Sequence, residues 1–298
     1  IRDRLRSRGL GDVYKRQAGE TFRIIQEQPE NLLLAKTDGN SADVYTLSLR
    51  DVELTLDGNA FDRNEPGAHQ DLPGKTLTGA LVEVAYDLVL ETYPGQLAEV
   101  TVVNIRSDGF DDRCALYLRV LNDLWAVDEG LNSDITMLSM DLSQTGLSDS
   151  EQAAVAWVFG GMHDISETMT MSYEELAAEG YLSDTDPEVD GIPHWKDGCL
   201  FTITEQETGD NELNGARNTV TFDAQKWRSA LGAYFFADCT AEQAVDKLWD
   251  AIAVTMRLNE KDPVKAWQEH NARLEHRAHF LNKHNFEYIH MTNSKGTD

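Results

Sequence analysis

The chain has 298 residues, with 26 Lys and Arg against 52 Asp and Glu, a formal net charge of −26 and 41% hydrophobic residues. That balance supplies enough apolar material for a folded core and more than one domain, and it excludes phosphate recognition by a basic surface, which needs clustered Lys and Arg. The three cysteines, Cys114, Cys199 and Cys239, form no close pair, which removes a zinc knuckle and a redox motif from consideration.

The first 17 residues stand apart. Asp12 to Gln17 back-translates into the mosaic end of a transposon-type sequencing adapter, and Ile1 to Asp3 fits the flanking primer. Residues 1–17 are therefore read as a scar outside the fold. Charge then divides the remainder: residues 18–240 carry 12 basic and 41 acidic residues, whereas residues 241–298 carry eight and nine. Five of the eight histidines, His270, His276, His279, His284 and His290, fall in that nearly neutral tail.

Residues 18–112 read as a β-rich domain. Alternating or apolar runs cover Phe22 to Ile25, Leu32 to Ala35, Val44 to Leu49, Val52 to Leu56, Leu81 to Leu90 and Ala98 to Ile105. Turn chemistry at Asp38-Gly-Asn40, Asp57-Gly-Asn59 and Pro94-Gly95 separates them. Short strands at this spacing predict a small barrel or sandwich.

Residues 113–237 read as an α+β domain, so the fold class expected for the whole is α+β. Leu116, Val120, Leu121 and Leu124 recur at helical spacing, predicting a helix from Arg113 to Ala126. Ser148 to Glu151 and Ser172 to Glu175 each fit a capping box, in which hydroxyl and carboxylate satisfy each other's orphan amides. Strands are expected at Cys199 to Thr204 and Asn218 to Phe222. Asp186, Glu188, Asp190, Gly191 and Asp197 roughly copy a calcium loop, but Pro187 interrupts it and the last ligand is Asp, so a solvated acidic loop is the better reading. Cys114 and Cys199 are open to two readings, a bridge or buried thiols, and His163 and His194 lie far apart in sequence among abundant Ser and Asp, so nothing isolates a catalytic triad. In phrases such as Asp141 to Thr145, Glu151 to Trp157 and Trp227 to Phe236 this region is similar to uncharacterised domains of bacterial cell-surface lipoproteins, a likeness that implies no activity.

The tail predicts two amphipathic helices. Thr240 serves as N-cap with Gln243 at the third position, ahead of Val245, Leu248, Trp249, Ile252 and Met256 on one stripe. Asp262 caps a second helix at Pro263, whose apolar face holds Trp267, Leu274 and Leu281. His276 and His279 stand one turn apart, as zinc ligands do, yet they project opposite that face and lack a third ligand, because Glu275 and His270 point elsewhere.

Ala241 to Ile252, Asp262 to Asn271 and Thr292 to Asp298 together resemble the aminopeptidase T and aminopeptidase S family of dinuclear metallopeptidases, at the passage into the catalytic domain. The resemblance implies peptide substrates and two divalent ions, zinc, cobalt or magnesium, that activate a water. It places the metal ligands beyond Gly296 to Asp298, so no catalytic, cofactor-binding or metal-binding residue is assigned within this chain and no ion is expected to bind it. It implies a cytoplasmic address for the tail, while the acidic middle suits an extracytoplasmic surface; no nucleic-acid partner and no transmembrane segment are expected. The charge break and the adapter predict a chimera of two coding sequences, with the seam near Asp238 to Ala244 and an inactive product. The competing reading is a non-catalytic envelope or binding module in residues 18–237.

Overall fold

The computed structural model describes residues 19–38, 43–72, 75–183, 193–206, 217–229 and 232–244. They build two sheets with a helical layer between them.

The first sheet has nine strands: β1 (Glu20–Glu27), β2 (Asn31–Lys36), β3 (Val44–Ser48), β4 (Glu53–Leu56), β5 (Asn59–Ala60), β6 (Leu81–Val84), β7 (Leu88–Leu90), β8 (Gly95–Ala98) and β9 (Val102–Arg106). Their spatial order is β5-β4-β9-β6-β1-β2-β3-β8-β7. The expected barrel or sandwich is thus replaced by an open mixed sheet. Two pairs, β3 with β8 and β4 with β9, are parallel, and β5 and β7 remain as edges instead of meeting. Hairpins alone cannot make parallel pairs, and the longer crossovers they require carry no local sequence signature.

Why these strands form is plain at β2. Leu32 and Leu34 point into one apolar cluster with Phe22, Ile24, Val82 and Val103, while Leu33 and Ala35 point into a second. A strand covered on both faces reads as a continuous apolar run, as this one does. In β1 consecutive Ile24 and Ile25 bury on opposite sides by ordinary strand alternation, and the register against β2 shifts between Ile24 and Gln26. The turn expected at Asp57-Gly-Asn59 is present, with positive φ at Asp57 (49°) and Gly58 (81°) joining β4 to β5. The run Leu81 to Leu90 does not stay one strand: β6 lies beside β1, whereas β7 crosses to the far edge beside β8. Likewise the run from Ala98 breaks at Glu99, whose φ of 57° ends β8 before β9 begins.

The second sheet has the order β11-β10-β12-β13-β14, from β10 (Met137–Gln144), β11 (Glu167–Met169), β12 (Gly198–Glu205), β13 (Arg217–Ser229) and β14 (Gly232–Ala244). Three helices accompany it: α1 (Arg113–Trp125), α2 (Asp149–Met162) and α3 (Tyr173–Ala178). α1 forms where periodicity predicts it. Both capping boxes form as well: Glu151 N donates to Ser148 Oγ at 3.3 Å and Ser148 N to Glu151 Oε2 at 2.9 Å, and Ser172 and Glu175 repeat the pattern on α3.

Helix α2 is the middle of the described body. It packs on β1, β2 and β3 on one side and on β10 and β11 on the other. Nearly every residue from Ser150 to Gly160 is buried, which explains why its sequence, Ala153 to Ala156 especially, is small and apolar all round instead of striped. Gly160 permits the closest approach, since a Cβ there would lie 2.3 Å from Thr168 Cγ2 and 2.5 Å from the Ile165 carbonyl.

The end of the described chain corrects the sequence reading. Thr240 to Ala244 belongs to β14, pairing Thr221 with Thr240 and Arg217 with Ala244, and does not begin a helix. Pairing along a 13-residue partner strand overrides a local cap signal. The remaining tail helices, with His270, Glu275, His276 and His279, lie outside the described residues, as do residues 1–17, the turn at Gly39-Asn40 and Asp186 to Gly191 of the acidic loop.

Candidate functional site

The sequence singled out few chemistry-bearing groups, and the fold does not gather them. Cys114, Cys199 and Cys239 are all buried free thiols. Burial pushes the Cys199 thiol up to about 12 and raises Cys114 well above the usual range, so neither is a nucleophile near neutral pH. Cys199 Sγ lies 3.5 Å from the Trp227 carbonyl. His194 sits on a short backbone bridge to Ser183 and Ser229. His163 closes the C-terminus of α2, stacks on Trp125 at 3.9 Å and meets Asn122 Oδ1 at 3.1 Å. Among the described residues no group of three or more His, Cys, Asp or Glu is placed to hold a metal ion.

The structure brings together residues that sequence reading passed over. Lys226, fully buried on β13, sends its ammonium to the C-terminus of α1 and the loop after it, donating to the carbonyls of Trp125 (3.1 Å), Val127 (2.6 Å) and Asp128 (3.2 Å). The cation also lies 5.9 Å from the Trp125 ring and 6.0 Å from Phe201. A lysine at a helix C-terminus satisfies orphan carbonyls and complements the helix dipole. Burial lowers its pKa, while Asp128 and Glu129 oppose that shift. Two residues on, Arg228 donates to the carbonyls of Leu131 (3.1 Å), Ser133 (2.7 Å) and Lys196 (2.7 Å), and the Tyr234 hydroxyl donates to Asp128. The loop after α1 is thereby clamped to β13.

A second cluster joins the two sheets. Arg23 on β1 donates from Nε to Glu151 Oε1 at 2.7 Å and from Nη1 to the carbonyls of Gly79 and Gly109, both at 2.9 Å. Glu151 thus caps α2 with one oxygen and holds the first sheet with the other. Nearby, the Tyr117 hydroxyl donates to Glu205, and Arg113 pairs with Asp111 at 2.6 Å. Burial would push Asp111 up, but the bonds from Arg113 outweigh it and hold the carboxyl low. Burial and the Glu205 charge raise Tyr117, which stays a protonated donor. At the bulge between β13 and β14, Gln206 Nε2 donates to Asp223 Oδ1 and Asp238 Oδ1, both at 2.9 Å, and Asp238 N donates to Asp223 at 2.8 Å. These groups are saturated with partners and hold elements together.

Surface cavities are also present among the described residues. One of about 460 Å³ is rimmed by Glu53, Asp62, Arg63 and Glu65 beside Phe61. Another, about 220 Å³, lies between α2 and the first sheet and is lined by Gln28, Asn31, Leu32, Leu33, Thr46, Gln96 and Trp157, none of them charged. No periodicity signals this lining, because it assembles only when β2, β3 and β8 pair.

Residues 211–298 match the family model described as thermophilic metalloprotease (M29). The chain is 51% identical over 57 residues to aminopeptidase PepS of Streptococcus thermophilus, covering 19% of this chain and 14% of that protein. It is 30% identical over 158 residues to aminopeptidase T of Thermus aquaticus, covering 49% of this chain and 34% of that protein. It is 33% identical over 125 residues to aminopeptidase 2 of Geobacillus stearothermophilus, covering 39% and 30%. The chain therefore spans between 14% and 34% of the length of these relatives. No solved structure matches it.

Proposed function

We propose that the C-terminal part of this chain is a portion of a metal-dependent aminopeptidase, an enzyme class that removes N-terminal residues from peptides, and that the acidic residues ahead of the match at 211–298 are a module of separate origin. The 51% identity over 57 residues to a named aminopeptidase carries this reading. The proposed layout is an adapter-derived 1–17, a β-rich 18–112, an α+β 113–237 and a peptidase portion in 238–298. The intact enzymes would use two divalent ions, zinc, cobalt or magnesium, to activate the attacking water. The proposal assigns none of their ligands to these 298 residues and expects no turnover of aminoacyl substrates by this stretch alone.

Two observations weigh against a sharp seam at Asp238 to Ala244. β14 runs through it in register with β13, and Asp238 is bonded to both Asp223 and Gln206. Moreover, residues 238–298 make up about a fifth of the chain, so an alignment covering 49% includes residues before Asp238. A genuine fusion is therefore tested beside the chimera. Long-read sequencing of the source DNA across the codons for Phe235 to Trp249 separates them: two templates are expected, and one continuous molecule overturns the chimera.

A second reading, a binding module in residues 18–237, is favoured by the packed cores of the described body and the uncharged cavity beside Trp157. Limited proteolysis followed by mass spectrometry tests it. Loss of every stable product within residues 18–237 removes its support.

A further inference from the structure

The uncharged cavity of about 220 Å³ is assigned no role by the peptidase reading, and its lining residues, from Gln28 to Trp157, all precede the matched residues 211–298. Its floor is a row of side chains across three strands. Leu33 on β2 pairs with Thr46 on β3, which pairs with Gln96 on β8, so all three share the helix-facing side of the sheet. Asn31, two residues before Leu33, lies on that same side. Trp157 of α2, half-buried and packed on the same apolar cluster as Leu33, forms the wall.

The polar groups here are open for use. The side chains of Asn31, Gln96 and Trp157 make no hydrogen bond to any described residue. Gln28 donates from Nε2 to Gln26 at 3.0 Å, leaving its carbonyl oxygen to accept. The Thr46 hydroxyl donates to the Gly95 carbonyl at 3.3 Å, leaving its lone pairs. The side chains that line the cavity thus include two whole amides, an indole and two further acceptors. An anion would want donors alone and a cation acceptors alone; a neutral ligand with vicinal hydroxyl groups, each donating and accepting, uses both kinds. The indole face suits the C–H face of a sugar ring, pairing apolar surface with a polar edge. The volume is below that of a drug-sized pocket, which begins at about 300 Å³, and matches a single ring. In a chain of net charge −26, an uncharged lining is also the place where a neutral ligand meets least competition from ions.

We propose that Trp157, Gln96, Asn31 and Gln28 form a binding site for one ring of a neutral carbohydrate. This goes beyond the peptidase reading and stands whether or not that reading holds. The test is titration calorimetry of the full chain with glucose, galactose, mannose and N-acetylglucosamine, with glucuronate as the charged control. At least one neutral sugar should bind saturably, and Trp157→Ala and Gln96→Ala should each weaken it by about tenfold or more, the loss of one well-made contact. Because Trp157 also packs on the core, Asn31→Ala and Gln96→Ala, both at half-buried polar positions, are judged only after their thermal melts overlay the parent. The site is ruled out if no neutral sugar binds more tightly than roughly 50 mM. It is equally ruled out if the well-folded variants bind like the parent, or if glucuronate binds as tightly.

Discussion

The two sheets of the described body treat polar groups in opposite ways. The apolar cluster of the nine-stranded sheet, from Phe22 to Ile105, is built wholly from side chains such as Leu34, Val82 and Val103. Every buried polar or charged residue among those described, from Asp112 to Lys226, lies instead in the α/β half. Strands satisfy their backbone in the ladder, so a sheet does not of itself require buried polar side chains. Helices leave orphan groups at both ends, and burying those ends between two sheets demands buried partners. Lys226 and Glu151 are those partners, one for the C-terminus of α1 and one for the N-terminus of α2.

That difference can be broken at its strongest point. Lys226→Ala removes a buried aliphatic stem and strands three carbonyls, and should cost about 4 kcal/mol in urea denaturation. Lys226→Met, which refills the stem, should recover part of that loss; equal losses would show that the carbonyl contacts alone matter. Gly160→Ala drives a methyl into Thr168 and the Ile165 carbonyl and should cost about 2 kcal/mol by overpacking. No effect would mean that the helix sits further from β11 than described.

Ser148→Ala removes one arm of the capping box and should cost about 1 kcal/mol, read as a shift in denaturation midpoint at constant slope. The smallest expected effect concerns pH. Burial lowers the His163 pKa, Asp164 opposes the shift and Lys226 adds to it. The unfolded chain takes up a proton near pH 6.5 while the folded chain resists until lower pH, so stability present above 6.5 is lost as the pH falls through the folded value. Between pH 7.5 and 5.5 the parent should therefore lose more stability than His163→Gln. Parallel loss in both would remove His163 from the account.

What the sequence disclosed follows the range of each interaction. Ser148 and Glu151 are three residues apart, and Leu116 to Leu124 share one helix face, so both signals are complete within a short window. Turn residues Asp57 and Gly58 are legible for the same reason. The parallel pairing of β3 with β8, the separation of β6 from β7 and the contact of Lys226 with α1 depend on residues dozens to a hundred positions apart. Thr240 shows the two ranges in conflict: its local cap pattern with Gln243 loses to pairing with β13. Of the candidate sites, the thiols are buried and the half-buried His163 stacks on Trp125, and the Trp157 cavity is not legible in the sequence because its lining comes from segments around residues 28–33, 46, 96 and 157.

The central proposal is that the C-terminal part of this chain derives from a metal-dependent aminopeptidase and that none of the metal ligands is among these 298 residues. Its most direct test is turnover of leucyl and other aminoacyl reporters by the purified full chain, supplied in turn with zinc, cobalt and magnesium, before and after chelation. The expected result is a rate no different from metal ions alone. Metal-dependent turnover that follows the protein through purification and vanishes with chelator would contradict it.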